Sequence, residues 1–199
     1  MYILIGLVLS LTSAFLVQNY APLAAGSGIP IVKTYLGGVE MLNVFDFHTF
    51  VIKCIGLSLS VGSELMVGKE GPMVHVTCCI AFMMSRFIPK YNQNQANTRN
   101  LISAACAAGV AIAFGAPIGG ILFSLEEVSF YFPQKTMWNS FSLGLISFLS
   151  FSWFQSKQGF DMKKAMFQAE HQYEWNRVEL LWFFVLGVGV ASLDLYLLY

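Results

Sequence analysis

Charge is scarce in this sequence: 11% of its 199 residues are Asp, Glu, Lys or Arg, against about 25% in soluble domains. The 11 basic and 11 acidic side chains cancel to a net charge of +0. No field of one sign is left to attract an acidic polymer, and no nucleic-acid partner is expected. Cysteine is equally sparse. Cys54, Cys78, Cys79 and Cys106 fall in apolar stretches with no CxxC pair and no Cys/His ligand spacing, so they read as buried thiols packing as small apolar side chains. Cys78 and Cys79, being neighbours, are poorly placed to bridge one another. The three histidines are too scattered for a metal centre, and neither a metal nor a cofactor is expected. The first residues carry no basic n-region and no small-residue cleavage site, so they do not read as a secretory signal peptide.

What remains is apolar. Hydrophobic residues make up 56% of the chain and the mean hydropathy is +0.63, the composition of an all-α integral membrane protein in a lipid bilayer. Residues 1–18 form a run of roughly the 20 residues a spanning helix requires. Residues 31–36 are too few to span and suggest a half-helix that starts within the membrane or at its edge. Ser27 suits its N-cap and Pro30 its first turn. Residues 51–67 read as the next helix, dotted with Gly56, Ser58, Ser60, Gly62 and Ser63 as close helix packing in lipid prefers.

A helix is expected over 73–88, then a polar loop over 89–100. Arg86, Lys90 and Arg99 surround that loop without an acidic partner, which places it in the cytosol by the positive-inside tendency. Residues 101–114 form a second small-residue helix and 118–130 a further one carrying Glu126 and Glu127, which point about 100° apart. A span over 137–154, a charge-balanced loop over 155–179 on the outer or lumenal face, and a last span from residue 180 complete the chain. The aromatics scattered through these runs read as packing groups and interfacial anchors. Because apolar runs are already under way at Met1 and still under way at Tyr199, the chain reads as part of a longer protein.

Three breaks share one pattern: Gly-Ser-Gly-Ile-Pro at 26–30, Gly-Lys-Glu-Gly-Pro at 68–72 and Gly-Ala-Pro-Ile-Gly-Gly at 115–120. Glycine allows close backbone approach, and proline starts a helix where its missing N–H is not needed. Each break exposes helix N-terminal N–H groups, which inside a bilayer must be satisfied. Their partial positive charge favours an anion, and the three starts are expected to converge on one. A weak site of hydroxyls and partial charges, without a buried Arg or Lys clamp, suits a small monovalent anion that must also leave. Glu70 costs about 2.5–3.5 kcal/mol at membrane depth on insertion scales, which makes it a candidate functional residue. Its carboxylate can imitate the anion and block the site until protonated. The plain alternative is a solvated turn. A phosphate-binding loop is excluded, because Gly62 and Gly68 enclose five residues rather than four and Glu70 stands where Ser or Thr is needed.

Taken together, these motifs, the third extended through Ile121-Leu122-Phe123-Ser124-Leu125-Glu126-Glu127, resemble the signatures of the CLC family of chloride channels and chloride/proton exchangers, in order and over nearly the whole chain. The resemblance implies a homodimer with one pore per subunit, each subunit built from two inverted halves of tilted, broken and re-entrant helices. Residues 1–199 would supply most of the first half and the first helix of the second, with the second half and any cytosolic regulatory domain outside the chain. It further implies that Gly26, Ser27, Gly28, Ile29 and Pro30 surround a central chloride, which the Ser27 hydroxyl contacts. The backbone at Lys69, Glu70 and Gly71 would form an outer site, Glu70 would be the external gate, and Glu127 would be the internal proton glutamate. Serine at 27 implies preference for chloride over nitrate.

An acid at Glu127 implies a proton-coupled exchanger. The neighbourhood 128–133 resembles the endosomal exchanger branch, which implies an endosomal or other intracellular membrane, with the plasma membrane as the alternative. On the residues alone, Glu126 and Glu127 could equally solvate a helix end. Two positions depart from the family pattern: Ile31, where Glu is usual, and Glu64, where a small residue is usual. The expectation is chloride/proton antiport, not an enzyme. The alternatives are a passive voltage-gated channel of the same family and a degenerate or truncated subunit that does not transport.

Overall fold

The computed structural model describes residues 2–39, 41, 43–65, 67–129, 133–157 and 179–197. All regular structure among them is helical: α1 (Tyr2–Tyr20), α2 (Ile29–Leu36), α3 (Phe47–Gly62), α4 (Glu70–Phe87), α5 (Pro89–Asn92), α6 (Gln95–Phe114), α7 (Pro117–Phe123), α8 (Gln134–Lys157) and α9 (Glu179–Leu197), with a 3₁₀ turn at Pro22–Ala24 and a π-helical turn at Ser124–Val128. Helices α1–α8 lie in one compact unit, residues 1–166, and α9 in a second, residues 167–199. α9 is a 19-residue apolar helix. Most of the expected loop over 155–179, namely 158–178, lies outside the described residues, as do 130–132.

The first unit is organised around α6, which packs on α4, α7 and α8. Its residues from Ile102 to Ala111 are buried without interruption, because alanine and glycine let neighbouring backbones approach. A methyl group on Gly109 would lie 2.6 Å from Thr77 Oγ1, and one on Gly120 of α7 would strike the Ala107 carbonyl. Thr77 Oγ1 donates to the Ala105 carbonyl at 3.0 Å, tying α4 to α6, and Cys78 Sγ lies 3.2 Å from Cys106 Sγ with both thiols free and buried. α1 packs on α3 through the same chemistry. Ser13 Oγ donates to the Gly56 carbonyl at 2.9 Å and pairs with Ser60 Oγ at 2.8 Å.

Polar as well as apolar side chains are buried, and many large apolar ones are exposed. Ser13, Thr49, Lys53, His75, Ser103, Ser124, Thr136 and Ser140 are buried, while Ile3, Leu4, Leu11, Phe15, Phe87, Ile118, Trp138, Ile146, Leu149 and Trp153 are exposed. So apolar an outer surface suits lipid, which asks nothing of an exposed leucine and leaves polar groups to find partners within the protein. Among the described residues one helix, over Ile3–Tyr20, is long and apolar enough to cross a membrane by length and composition.

Several boundaries differ from the sequence reading. The helix expected over 51–67 starts earlier, at Phe47, and stops at Gly62. Glu64 then lies beyond its end in a left-handed conformation, φ 57°. The helix expected from 73 starts at Glu70, with Lys69 as N-cap. Residues 89–100 are not one loop. They form α5 and the first turns of α6, where the Asn94 side chain accepts from the Ala96 N–H at 3.0 Å, a polar cap on a polar first turn that hides the helix start from a hydropathy reading. Arg86 also has an acidic partner, Asp46 at 3.4 Å.

Candidate functional site

Ser27 sits between two glycines with positive φ, Gly26 at 69° and Gly28 at 79°. Only glycine adopts this geometry at little cost. Gly28, not Ser27, is the N-cap of α2, and no side chain caps that start. The expected capping role for Ser27 is therefore overturned. The left-handed turn at Gly28 starts the helix one residue later, and the half-buried Ser27 hydroxyl makes no hydrogen bond among the described residues.

The first break lies directly on the second. A methyl group on Gly71 would lie 2.7 Å from Ser27 Cβ and 3.5 Å from Ile29 Cδ1, and one on Gly28 would lie 2.6 Å from His75 Cβ. The start of α2 is thus pressed onto the first two turns of α4, which opens with Glu70. The Glu70 carboxylate curls back over Gly68, whose added methyl would lie 3.1 Å from Glu70 Oε2. A carboxylate in that position is favoured by the positive end of its own helix.

Around this junction lies a pocket of about 690 Å³, lined by residues that include Gly26, Ser27, Ile29, Lys53, Gly68, Gly71 and Pro72. Lys53, on α3, is 3% exposed. Its Nζ donates to the Ala24 carbonyl at 2.6 Å and to the Gly26 carbonyl. No carboxylate reaches it among the described residues, and it lines the same pocket as Ser27. This corrects the expectation of a site without a buried Arg or Lys. The sequence offered one signal, a lone lysine inside an otherwise apolar helix, but its partners lie 27 and 29 residues earlier in a loop.

The third break does not join the other two. Its residues 115–120 do not line the pocket. α7 instead packs on α6 and α8, because Gly120 fits against Ala107 and Ala111. Two helix starts converge on the pocket, not three. The third segment contributes at its far end, where α7 gives way to the π-helical turn carrying Glu126 and Glu127. Both acids are exposed. Glu127 Oε1 meets Lys33 Nζ of α2 at 3.2 Å, a partner 94 residues away that no local pattern announces. Ile31, on the same short helix, packs on an apolar cluster built around Val32, Val74 and Ile102.

A model of the family described as "voltage gated chloride channel" matches residues 7–193. Over 188 residues, 94% of this chain, the sequence is 45% identical to H(+)/Cl(-) exchange transporter 5 of Rattus norvegicus and of Homo sapiens, and 46% identical to H(+)/Cl(-) exchange transporter 3 of Homo sapiens. The aligned region covers 23% of each relative, so the chain spans about a quarter of the length of the curated proteins it matches. With 187 matched residues, this identity to the exchange transporters and large apolar side chains on its outer surface, the chain belongs to the CLC family of voltage-gated chloride channels and exchangers, as an all-α membrane protein.

Proposed function

We propose that residues 1–199 carry the anion-binding and gating half of a chloride/proton antiporter. The observation that carries this reading is the junction of Ser27 with Gly71, the residue after Glu70, beside a pocket that Ser27, Gly71 and Lys53 all line. The names of the relatives, proton/chloride exchange transporters, support it.

In this reading chloride rests among Gly26, Ser27, Gly28, Ile29 and Pro30, taking a hydrogen bond from the Ser27 hydroxyl and the field of α2's first turn and of Lys53. The backbone of Lys69, Glu70 and Gly71 holds the outer position. Glu70 competes for it as a carboxylate and yields when protonated, so its proton affinity depends on anion occupancy. Glu127 takes up the proton on the inner side. The working protein is a homodimer in an intracellular, endosomal-type membrane, completed by the second transmembrane half, and needs no cofactor for this chemistry.

The test uses the full-length protein in liposomes, with chloride and proton movements recorded separately. Chloride efflux should drive proton uptake, and Glu70→Gln should leave chloride movement while ending proton movement. Chloride flux with unchanged internal pH in the unmodified protein would sink the antiporter reading. The family's channel description favours a second reading, passive conduction; there, Glu127→Gln changes little, whereas in an antiporter it abolishes proton movement. A non-transporting subunit is excluded if the full-length protein, expressed alone, moves anions.

A further inference from the structure

α2 is only eight residues long, yet it touches the segments that carry both acids. At its start Gly28 and Ser27 are locked against His75 and Gly71 with no room for a methyl group. One helical turn further on, roughly 6 Å along the axis, Lys33 holds Glu127. Between these points Val32 is fully buried in the same cluster as Val74 of α4 and Val128 of the π-helical turn. α2 therefore spans, as one short helix of just over two turns, from the Glu70 segment to the Glu127 segment.

The π-helical turn is itself anchored. Ser124 Oγ donates to the Ser103 carbonyl at 2.7 Å, Ser103 Oγ pairs with Ser129 Oγ at 2.7 Å, and the Ser129 N–H closes the turn on the Ser124 carbonyl at 3.0 Å. With its two ends fastened to α6, the turn presents Glu127 from a fixed base. Among the described residues, the charged groups on the turn and on the helices packed against it are Glu126 and Glu127 themselves, Lys33 on α2, and Arg99 on α6, whose guanidinium lies near Gly38 beyond the end of α2. α7 carries no charged residue.

Resting on the antiporter reading above, we propose that Lys33 is a positioning residue that ties the Glu127 carboxylate to α2, so that protonation of Glu127 frees the Lys33 end of α2 and anion occupancy at Ser27 is read at Glu127. The Lys33 and Glu127 side chains are 42% and 55% exposed. An ion pair so accessible contributes little to stability and breaks readily. A tie that must open in every cycle needs that weakness, and the close packing at the other end of α2 converts its release into movement at Ser27.

Chloride binding to the detergent-solubilised full-length protein, measured by calorimetry, tests the tie without requiring transport. Glu127→Gln should change the chloride Kd at least threefold when Lys33 is present and leave it unchanged in a Lys33→Gln background, because the two substitutions remove one interaction. Equal effects in both backgrounds overturn the proposal. In liposomes, Lys33→Gln should lower the number of protons moved per chloride at least twofold while chloride flux persists, and Lys33→Arg should restore the ratio. A merely structural lysine would lower both fluxes together, which also overturns the proposal. If the unmodified protein moves chloride but no protons, the antiporter reading fails, and the binding cycle still decides whether Lys33 links the two sites.

Discussion

A methyl group added at Gly71 has nowhere to go, because Ser27 Cβ stands 2.7 Å from it. Gly71→Ala must displace α2 from α4, an overpacking that typically costs 1–3 kcal/mol. Anion flux should fall about tenfold or more while the protein still reaches the membrane, which a surface-expression assay checks alongside flux. Lys53 acts through its buried amine. Lys53→Met leaves the Ala24 and Gly26 carbonyls without their donor and removes a basic group from the pocket that Ser27 lines, so chloride affinity should weaken by about tenfold or more, with partial recovery in Lys53→Arg. Glu64 tests backbone strain alone. At φ 57° just past α3 it occupies a position suited to glycine, so Glu64→Gly should raise stability by about 1 kcal/mol and Glu64→Val should lower it, read as shifts in thermal midpoint.

At the scale of elements, the breaks were legible and the partnerships were not. Gly-Pro pairs mark where helices restart because they act within a few residues, and α2, α4 and α7 begin within three residues of the expected starts. The start of α6 was hidden by polarity: Gln95 to Asn100 offers no apolar stripe, and only the Asn94 cap betrays a helix. Lys53 and Lys33 were missed as site residues for a different reason. Each finds its partner across 27 to 94 residues, and a lysine in an apolar run reads equally as a snorkelling side chain. That three breaks share a pattern said nothing of whether they share a destination; Gly120, fitted against α6, sends the third elsewhere. The same fit makes α7 intolerant. Gly120→Val should prevent stable packing of α6 on α7, seen as loss of the folded, monodisperse protein in size-exclusion chromatography, whereas Gly62→Ala, with open space around it, should not.

Over the molecule as a whole, the exposed apolar surface decides where the protein can live. Ile146 lies near the middle of α8 and is 60% exposed. If that face meets lipid, Ile146→Arg places a charge near bilayer mid-depth at about 2.5–3.5 kcal/mol on insertion scales, and the membrane-integrated fraction should fall sharply. Thr136, equally part of α8 but 2% exposed, should respond instead to loss of its interior fit, with little effect on insertion in Thr136→Ser. The aligned region covers 23% of the relatives' length, so both variants belong in the full-length protein.

The π-helical turn at Ser124–Val128 has a consequence for chain length. A ring closed from Ser129 to Ser124 encloses one residue more than an α-helical ring does. Deleting a single residue there, for instance Leu125, would reduce the ring between Ser124 and Ser129 to the α-helical count and keep both serines on one face, while Glu126 and Glu127 would move one place closer to Ser124 and turn about the axis. Ser124 and Ser129 could still both reach Ser103, but the Glu127 carboxylate would no longer be aimed at Lys33. The extra residue of the turn therefore aims the acid pair without disturbing its anchors.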